Sequence, residues 1–366
     1  MKPSLLQYLA CISCKGKFHL DEGESHRNDS TEGREIISGT LTCTNCLNRY
    51  PITHGIPRLV DARLSSSTDL NTGERFADAW KEFSRMDERY KAQFFDWLFP
   101  VDEDYLHDKI VLEAGVGKGR HAQIVADSGA KMVFGIDIGN AVDVAYQNVG
   151  HMPKLHLIQS DIRRLPFNNI FDFAFSVGVL HHMDDPQAGF SSVVDCLKPD
   201  GSICVWVYGK ENNWWITNLV SPTREAVTAK LPPGILKLIS TTLSVPVFMG
   251  AKGVARPWAK LRESMPGLPE LFYESYMNYI SRFDFTEINH IVFDHLTAPV
   301  AFYIPRNDVL KWFQDAGFPS PLLRWHNKNS WTGFASNRSR DLLTMKERLH
   351  QATAAQETKT VATARK

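Results

Sequence analysis

The feature that most restricts how this chain can fold lies at residues 110–120, IVLEAGVGKGR. A short apolar run ends in an acid, Glu113, and glycines follow at 115, 117 and 119. An unbroken apolar run of this length reads as a strand buried on both faces, as in a parallel sheet. Glycines at alternate positions let the chain turn sharply and leave bare backbone for a ligand to lie against. Residues 119–128 (GRHAQIVADS) then carry a helical pattern, with Ile124 and Val125 inward and Gly129 ending it. Strand, glycine turn and helix make the first unit of a doubly wound nucleotide-binding sheet.

The dinucleotide fingerprint is not met, because its third glycine position holds Arg120. The pattern E-x-G-x-G-x-G resembles instead motif I of the class I S-adenosylmethionine-dependent methyltransferases. Later segments extend that resemblance in the right order. A second strand, 131–137, ends in Asp137, and a carboxylate there can accept from a ribose diol. A third strand, 154–158, runs into Gln159-Ser160-Asp161-Ile162. A fourth, 171–178, leads into VLHHMDDP at 179–186, similar to a segment of the same family. A helix at 187–197, a fifth strand at 202–208, a helix at 306–316 and closing strands at 320–326 and 331–336 complete the expected fold. It is an α/β, doubly wound, seven-stranded, Rossmann-like sheet. The resemblance implies bound S-adenosylmethionine. Gly115, Gly117 and Gly119 would approach it through backbone, with Glu113 orienting the turn or the amino group. Asp137 would take the ribose, Asp161 and Ile162 the adenine, and Ser176 the methionine part.

At 366 residues and 43% hydrophobic content, the chain has room for a large core and more than one domain. Its first part carries Cys11-x-x-Cys14 and Cys43-x-x-Cys46. Two such pairs in a reducing compartment read as a closed structural zinc site, with disulfides as the alternative. No strand–helix unit of the thioredoxin kind follows either pair, so a redox role fits less well. LLQYLAC at 5–11 and GTLTCTNCLNRYPITHGIPRL at 39–59 resemble the small zinc-binding activators that partner tRNA and protein methyltransferases. The polar stretch 21–35 departs from that pattern as an insertion, expected to be a loop. The resulting plan is a zinc-binding module at 1–62, a flexible linker at 63–73 and a methyltransferase domain at 74–349. A helical insertion at 211–304 would cap the acceptor pocket, and 350–366 would form a disordered tail.

Phe76, Trp80 and Phe83 recur at helical spacing. They read either as core packing or, in the resembled family, as a cover over the methionine end of the cofactor, which places Trp80 with the cofactor. His181 and His182 follow the fourth strand, where a histidine can take a proton at neutral pH, and Asp294 is a further catalytic candidate. His290, Asp294 and His295 do not share one helix face cleanly, which argues against a metal there. Tyr208, Trp214 and Trp215 are candidates for the acceptor pocket, or for core packing.

Formal net charge is zero, from 41 basic and 41 acidic residues, which argues against a general attraction to nucleic acid. No unbroken apolar run reaches about 18 residues, so no transmembrane segment is expected. The N-terminal apolar stretch is too short for a secretory signal, which makes the cytoplasm the expected location. Residues 223–262 are locally basic around the apolar GILKLISTTLSVPVFMG. That segment reads as a helical cap with a solvated basic face, a contact for an anionic acceptor, or a peripheral membrane contact. The function expected is methyl transfer to oxygen or nitrogen of a small molecule or biosynthetic intermediate. Methylation of tRNA or protein is the alternative suggested by the activator-like module. It is opposed by the zero net charge and by Ser176-Val177-Gly178-Val179, which stands where amino-nitrogen methyltransferases carry Asn/Asp-Pro-Pro-Tyr/Phe. A non-catalytic scaffold is a third reading, against which the intact glycines and both acids count.

Overall fold

The computed structural model describes residues 1–28, 33–265 and 267–364. The N-terminal module contains β1 (Phe18–Glu22), β2 (Ser25–Asn28), β3 (Gly33–Ile36), β4 (Gly39–Cys43), β5 (Arg49–Thr53) and β6 (Ile56–Leu59). Helices α1 (Ser67–Glu82), α2 (Arg89–Leu98) and α3 (Glu103–Leu106) precede β7 (Ile110–Ala114). Then come α4 (Arg120–Asp127), β8 (Met132–Asp137), α5 (Ala141–Val149), β9 (Leu155–Ser160), β10 (Phe171–Val177), α6 (Pro186–Val194) and β11 (Leu197–Tyr208). The insertion supplies α7 (Ser221–Ala226), α8 (Pro233–Met249), α9 (Arg256–Ser264), α10 (Glu274–Ile280) and α11 (Phe285–Thr297). The chain closes with α12 (Arg306–Asp315), β12 (Leu322–His326), β13 (Ser330–Ser336) and α13 (Ser339–Ala364).

Seven strands take the order β9-β8-β7-β10-β11-β13-β12, with β13 antiparallel to both neighbours and the others parallel. Val111, Leu112, Val133, Phe134, Phe173 and Phe175 are fully buried, as strands covered on both faces require. The order reverses between β7 and β10, and open sheets of this kind bind ligands at such a switch point.

The sheet does not stop at β9. Arg58 and Leu59 of β6 pair in parallel with Gln159 and Ser160, so β1-β4-β5-β6 continue into one eleven-stranded sheet. Leu5, Leu9, Ile12, Leu41 and Ile52 belong to the same apolar cluster as Phe134, Ile136 and Ile158. The ring of Tyr8 stands edge-on to Phe134 at 5.3 Å. Lys2 donates to the carbonyls of Gly150 (3.0 Å) and Leu155 (2.8 Å), and Lys15 to those of Leu165 (2.7 Å) and Phe167 (3.2 Å). Arg58 grips both carboxylate oxygens of Asp143 at 3.1 and 2.6 Å.

The flexible linker expected at 63–73 is therefore corrected. The Ser66 hydroxyl caps α1 by accepting from the amides of Thr68 and Asp69 at 3.2 and 3.4 Å. Asn71 and Thr72 lie in the early turns of that helix, and Gly73 lets it approach Ile138, which a Cβ would meet at 2.6 Å. A polar, small-residue run suits a flexible linker by composition, but here it caps and packs a helix. The loop expected at 21–35 contains the β2–β3 hairpin, and residues 29–32 lie outside the described residues. The tail expected to be disordered from 350 continues α13 as far as Ala364, as its alanine-rich composition favours.

Helices α8 and α9, joined by a wider turn at Gly250–Ala255, run on as one helix, Gly234–Ser264, of 31 residues. By length and composition this helix is able to cross a membrane, contrary to the expectation of no such segment. Ser, Thr and Lys interrupt its apolar runs, which is why a search for unbroken stretches passes over it. One face of the helix packs against α11 through Leu236, Ser240 and Ser244, and the Ser244 hydroxyl lies 3.3 Å from the Asn289 side-chain oxygen.

The shared sheet makes the module part of the catalytic fold. Expressing residues 63–366 alone exposes the β9 edge and the apolar face under the module. Calorimetry and solubility measurements are expected to show precipitation or a melting temperature lower by roughly 10 °C. An equally soluble and stable fragment would show the module to be dispensable for stability.

Candidate active site

The glycine turn after β7 is built from left-handed backbone: φ is +90° at Gly115, +51° at Gly117 and +87° at Gly119. A Cβ at Gly115 would lie 2.2 Å from Val179, and one at Gly117 would lie 2.9 Å from the Trp80 indole nitrogen. Asp137, at the end of β8, fixes the turn by accepting from the amides of Gly117 (3.0 Å) and Gly139 (3.1 Å). Burial pushes its carboxyl up to about 6, against the pull of those donors. Asp161 accepts from the Arg163 amide at 2.9 Å, and its second carboxylate oxygen is buried without a hydrogen-bond partner. Arg163 ties this loop to Asp69 of α1 (2.9 Å) and to Asp184 (2.8 Å).

These groups open on one cavity of about 200 Å³. Gly115, Gly117, Asp137, Asp161, Ile162, Phe76 and Trp80 all line it. Three expected cofactor residues stand behind its wall. Gly119 is the N-cap of α4. Glu113 is buried and meets His121 Nδ1 at 3.1 Å; burial pushes the acid's pKa well up and the histidine's well down. Ser176 spends its hydroxyl on the Ala114 carbonyl at 2.9 Å, and Val177, Gly178 and Val179 form the wall instead.

The far half of the cavity contains His182. Its Nδ1 donates to the Val300 carbonyl at 2.7 Å, which leaves Nε2 as an acceptor. Burial lowers its pKa to about 3. His181 is not in the wall. It is packed under Tyr208 and His182, with ring centroids 3.9 and 4.2 Å away, and neither ring nitrogen has a hydrogen-bond partner. A catalytic role for His181 is therefore corrected to packing. Asp294 does line the cavity, with one oxygen 3.4 Å from His290 Nε2 and the other buried without a partner. Burial raises its carboxyl above the usual range. Trp214 is 64% exposed, whereas Tyr208 lines the cavity and Trp215 packs on Tyr273 at 5.4 Å.

Aromatic residues of the insertion and of β11 complete the site. Tyr273, Tyr276 and Tyr279 of the insertion face Trp206 and Tyr208 of β11 and Tyr303 across the cavity. Their spacing of three along α10 was the available signal. Arg120 lies over the rings of Trp80, Tyr90 and Trp97 at 5.3, 4.9 and 5.4 Å and is 3.9 Å from Glu287. Lys118 donates to the carbonyls of Phe83 (2.7 Å) and Arg85 (2.8 Å), and burial lowers its pKa to about 8.

A second cluster lies in the module. The sulfurs of Cys11, Cys14, Cys43 and Cys46 all lie within 4.8 Å of one another. Cys11–Cys46 and Cys14–Cys43 are 3.6 and 3.4 Å apart, far beyond a disulfide bond of about 2.05 Å. Four sulfurs around a tetrahedral ion at about 2.3 Å would sit about 3.8 Å apart, so the cluster fits such an ion.

Sheet order, glycine turn and paired acids are those of the class I, Rossmann-like methyltransferase fold. Residues 112–205 match the methyltransferase domain family. A tRNA U34 carboxymethyltransferase of Ruthia magnifica subsp. Calyptogena magnifica is 30% identical over 102 residues, covering 27% of this chain and 32% of that protein. The enzyme of the same name from Pseudoalteromonas atlantica is 33% identical over 113 residues, covering 29% and 35%. The chain thus spans about a third of the length of these curated relatives. Among solved structures, magnesium protoporphyrin IX methyltransferase of Synechocystis PCC 6803 with bound SAH aligns at 14% identity and a TM-score of 0.39, over 71% of this chain and 94% of that one. The small-molecule acceptor expected from sequence is corrected by the curated relatives, whose names specify tRNA. Net charge sums over the whole chain and does not describe any one face of it.

Asp137→Asn keeps the shape of the side chain but removes its charge and an acceptor. Calorimetric titration with S-adenosylhomocysteine is expected to show binding weaker by about tenfold or more. In the wild type the acceptor is the ionised carboxylate, so affinity should fall as pH drops through about 6. The Asn variant should lose that pH dependence, and an unchanged profile would remove Asp137 from the site.

Proposed function

We propose that this chain transfers a methyl or substituted methyl group from S-adenosylmethionine, or a sulfonium derivative of it, to a base of tRNA. The observation that carries the reading is the continuity of one cavity. Its near half has the bare glycine turn with Asp137 and Asp161. Its far half is walled by Trp206, Tyr208, Tyr273 and Tyr276, flat rings of the kind on which an extruded base stacks. The tRNA-modifying relatives support the same acceptor class.

The sulfonium donor supplies an already activated one-carbon group, and the electron pair of the breaking bond returns to sulfur. What remains for the protein is to hold the acceptor in line, exclude water and take a proton. Asp137 and Asp161 would hold ribose and adenine, with Ile162 against the ring. Trp80 and Phe76 would cover the methionine end, beside Gly115 and Gly117. His182 Nε2, neutral at physiological pH, would accept a hydrogen bond from the acceptor and orient it. Asp294, whose carboxyl is raised by burial, is the better base of the two.

One zinc ion would be held by Cys11, Cys14, Cys43 and Cys46. Four thiolates leave no open position, so its role would be to fold the outer end of the module's sheet. Metal analysis of purified protein is expected to give one zinc per chain, and less than about half an equivalent with four freely titrating thiols would reject the site.

Incubation with methyl-labelled S-adenosylmethionine and unfractionated tRNA tests the transfer. Label is expected in ribonuclease-sensitive material. A protein that labels no tRNA, either with this donor or with a labelled carboxymethyl sulfonium derivative of it, would overturn the reading. Asp294→Asn should lower kcat by about a hundredfold with little change in donor affinity.

A further inference from the structure

We infer that the outward face of the helix Gly234–Ser264 is a docking surface for an anionic lipid membrane, with the helix lying flat in the headgroup region. This does not depend on the identity of the acceptor.

The helix has two unlike sides. Leu236, Ser240, Ser244, Ala251 and Ala255 recur every three to four residues or so along the buried side. Ile235, Leu238, Val245, Met249, Val254 and Leu261 are 44–69% exposed on the other. Ile235, Leu238, Val245 and Met249 fall on one helical face, with Thr242 among them. The outer face of a packed helix is normally charged or polar. Here it is a row of large apolar side chains, the signature of a surface that something covers.

The charges identify the cover. Residues 226–262 contain Lys230, Lys237, Lys252, Arg256, Lys260 and Arg262 and no Asp or Glu. Lys237 pairs with Glu82 and Arg262 with Glu274. Among the described residues, Lys230, Lys252, Arg256 and Lys260 have no carboxylate within ion-pair distance. A second copy of this helix would bring like charges together without an acid to offset them. Nucleic acid would satisfy the cations but leave the apolar row in water. An anionic bilayer takes both, with the apolar row in the acyl boundary and lysine and arginine among the phosphates. Crossing the bilayer is opposed by the buried side. It would strip Leu236 and Ser240 from α11 and break the contacts of Asn289 with Ser244 (3.3 Å) and Thr241 (3.2 Å).

The test is flotation of the full chain with vesicles of phosphatidylcholine, either pure or containing about a third phosphatidylglycerol. The wild type is expected to float with the anionic vesicles and to be released by about 0.5 M salt. Leu238→Asp combined with Met249→Asp should lower partitioning by about tenfold or more. Both positions are exposed, so melting temperature and S-adenosylhomocysteine affinity should stay at wild-type values. Lys252→Glu with Lys260→Glu should abolish the preference for anionic over neutral vesicles. Absence of flotation in the wild type, or undiminished flotation of the double Asp variant, overturns the inference. So does a double Asp variant that loses tRNA binding while wild type ignores lipid, which assigns the face to RNA. A wild-type dimer that the double Asp variant makes monomeric, without lipid binding, assigns it to a second copy.

Discussion

Between the end of β7 and the first turn of α4 the chain passes through three left-handed glycines, and the packing around them leaves no volume for a Cβ. Val179 closes on Gly115 from the loop after β10, and Trp80 closes on Gly117 from α1. Val116 in turn presses on Gly135 of β8, where a Cβ would meet it at 2.6 Å. Three separate elements therefore converge on one stretch of bare backbone. Asp137 holds the turn from the side through two amides, so its carboxylate is both part of the scaffold and part of the wall. The cavity exists because nothing larger than hydrogen stands at these positions.

The glycine-turn half of the cavity was legible in sequence because it is local to the chain. A strand, a turn and an acid at a strand's end are set by spacing, and the fold brings Gly115, Gly117, Asp137 and Asp161 around one cavity. Orientation was less legible. Ser176 and His181 stand beside residues that face the cavity, but each points its side chain elsewhere, and a step of one residue decides which way a side chain faces. The far half was least legible. Tyr208, Tyr273 and Tyr303 come from a strand, an inserted helix and a return loop, and only the fold brings them together. The seven-strand sheet could be read from short apolar runs set between turns and helices, whereas its extension through β6 could not. Two residues pairing across domains leave no periodic mark.

The insertion is tied to the donor half by charges as well as by packing. Arg120 and Lys118 follow the glycine turn, and Glu287, His290 and Asp294 face them from α11. His290 lies 3.6 Å from Glu287 and 3.4 Å from Asp294. Burial opposes ionisation of Glu287, yet His290, Arg120 and Tyr90 bring its carboxyl down to about 2, while Asp294 is raised. Two acids two helical turns apart thus differ in proton affinity: both face His290 and Arg120, but Glu287 also accepts hydrogen bonds, whereas burial dominates at Asp294.

The pairing of β6 with β9 also sets an order of events. Arg58 meets Gln159 and Leu59 meets Ser160, partners about a hundred residues apart in the chain. Strands β4, β5 and β6 can form their antiparallel meander early, since each lies next to the last. The outer edge of β6 then has no neighbour until β7, β8 and β9 have emerged and assembled. During synthesis that edge stays open while some hundred residues leave the ribosome, which takes roughly 5–20 s. In the finished fold Lys2, Lys15 and Arg58 reach across this seam to Gly150, Leu165 and Asp143, so the late-formed junction is closed by side chains as well as by strand pairing.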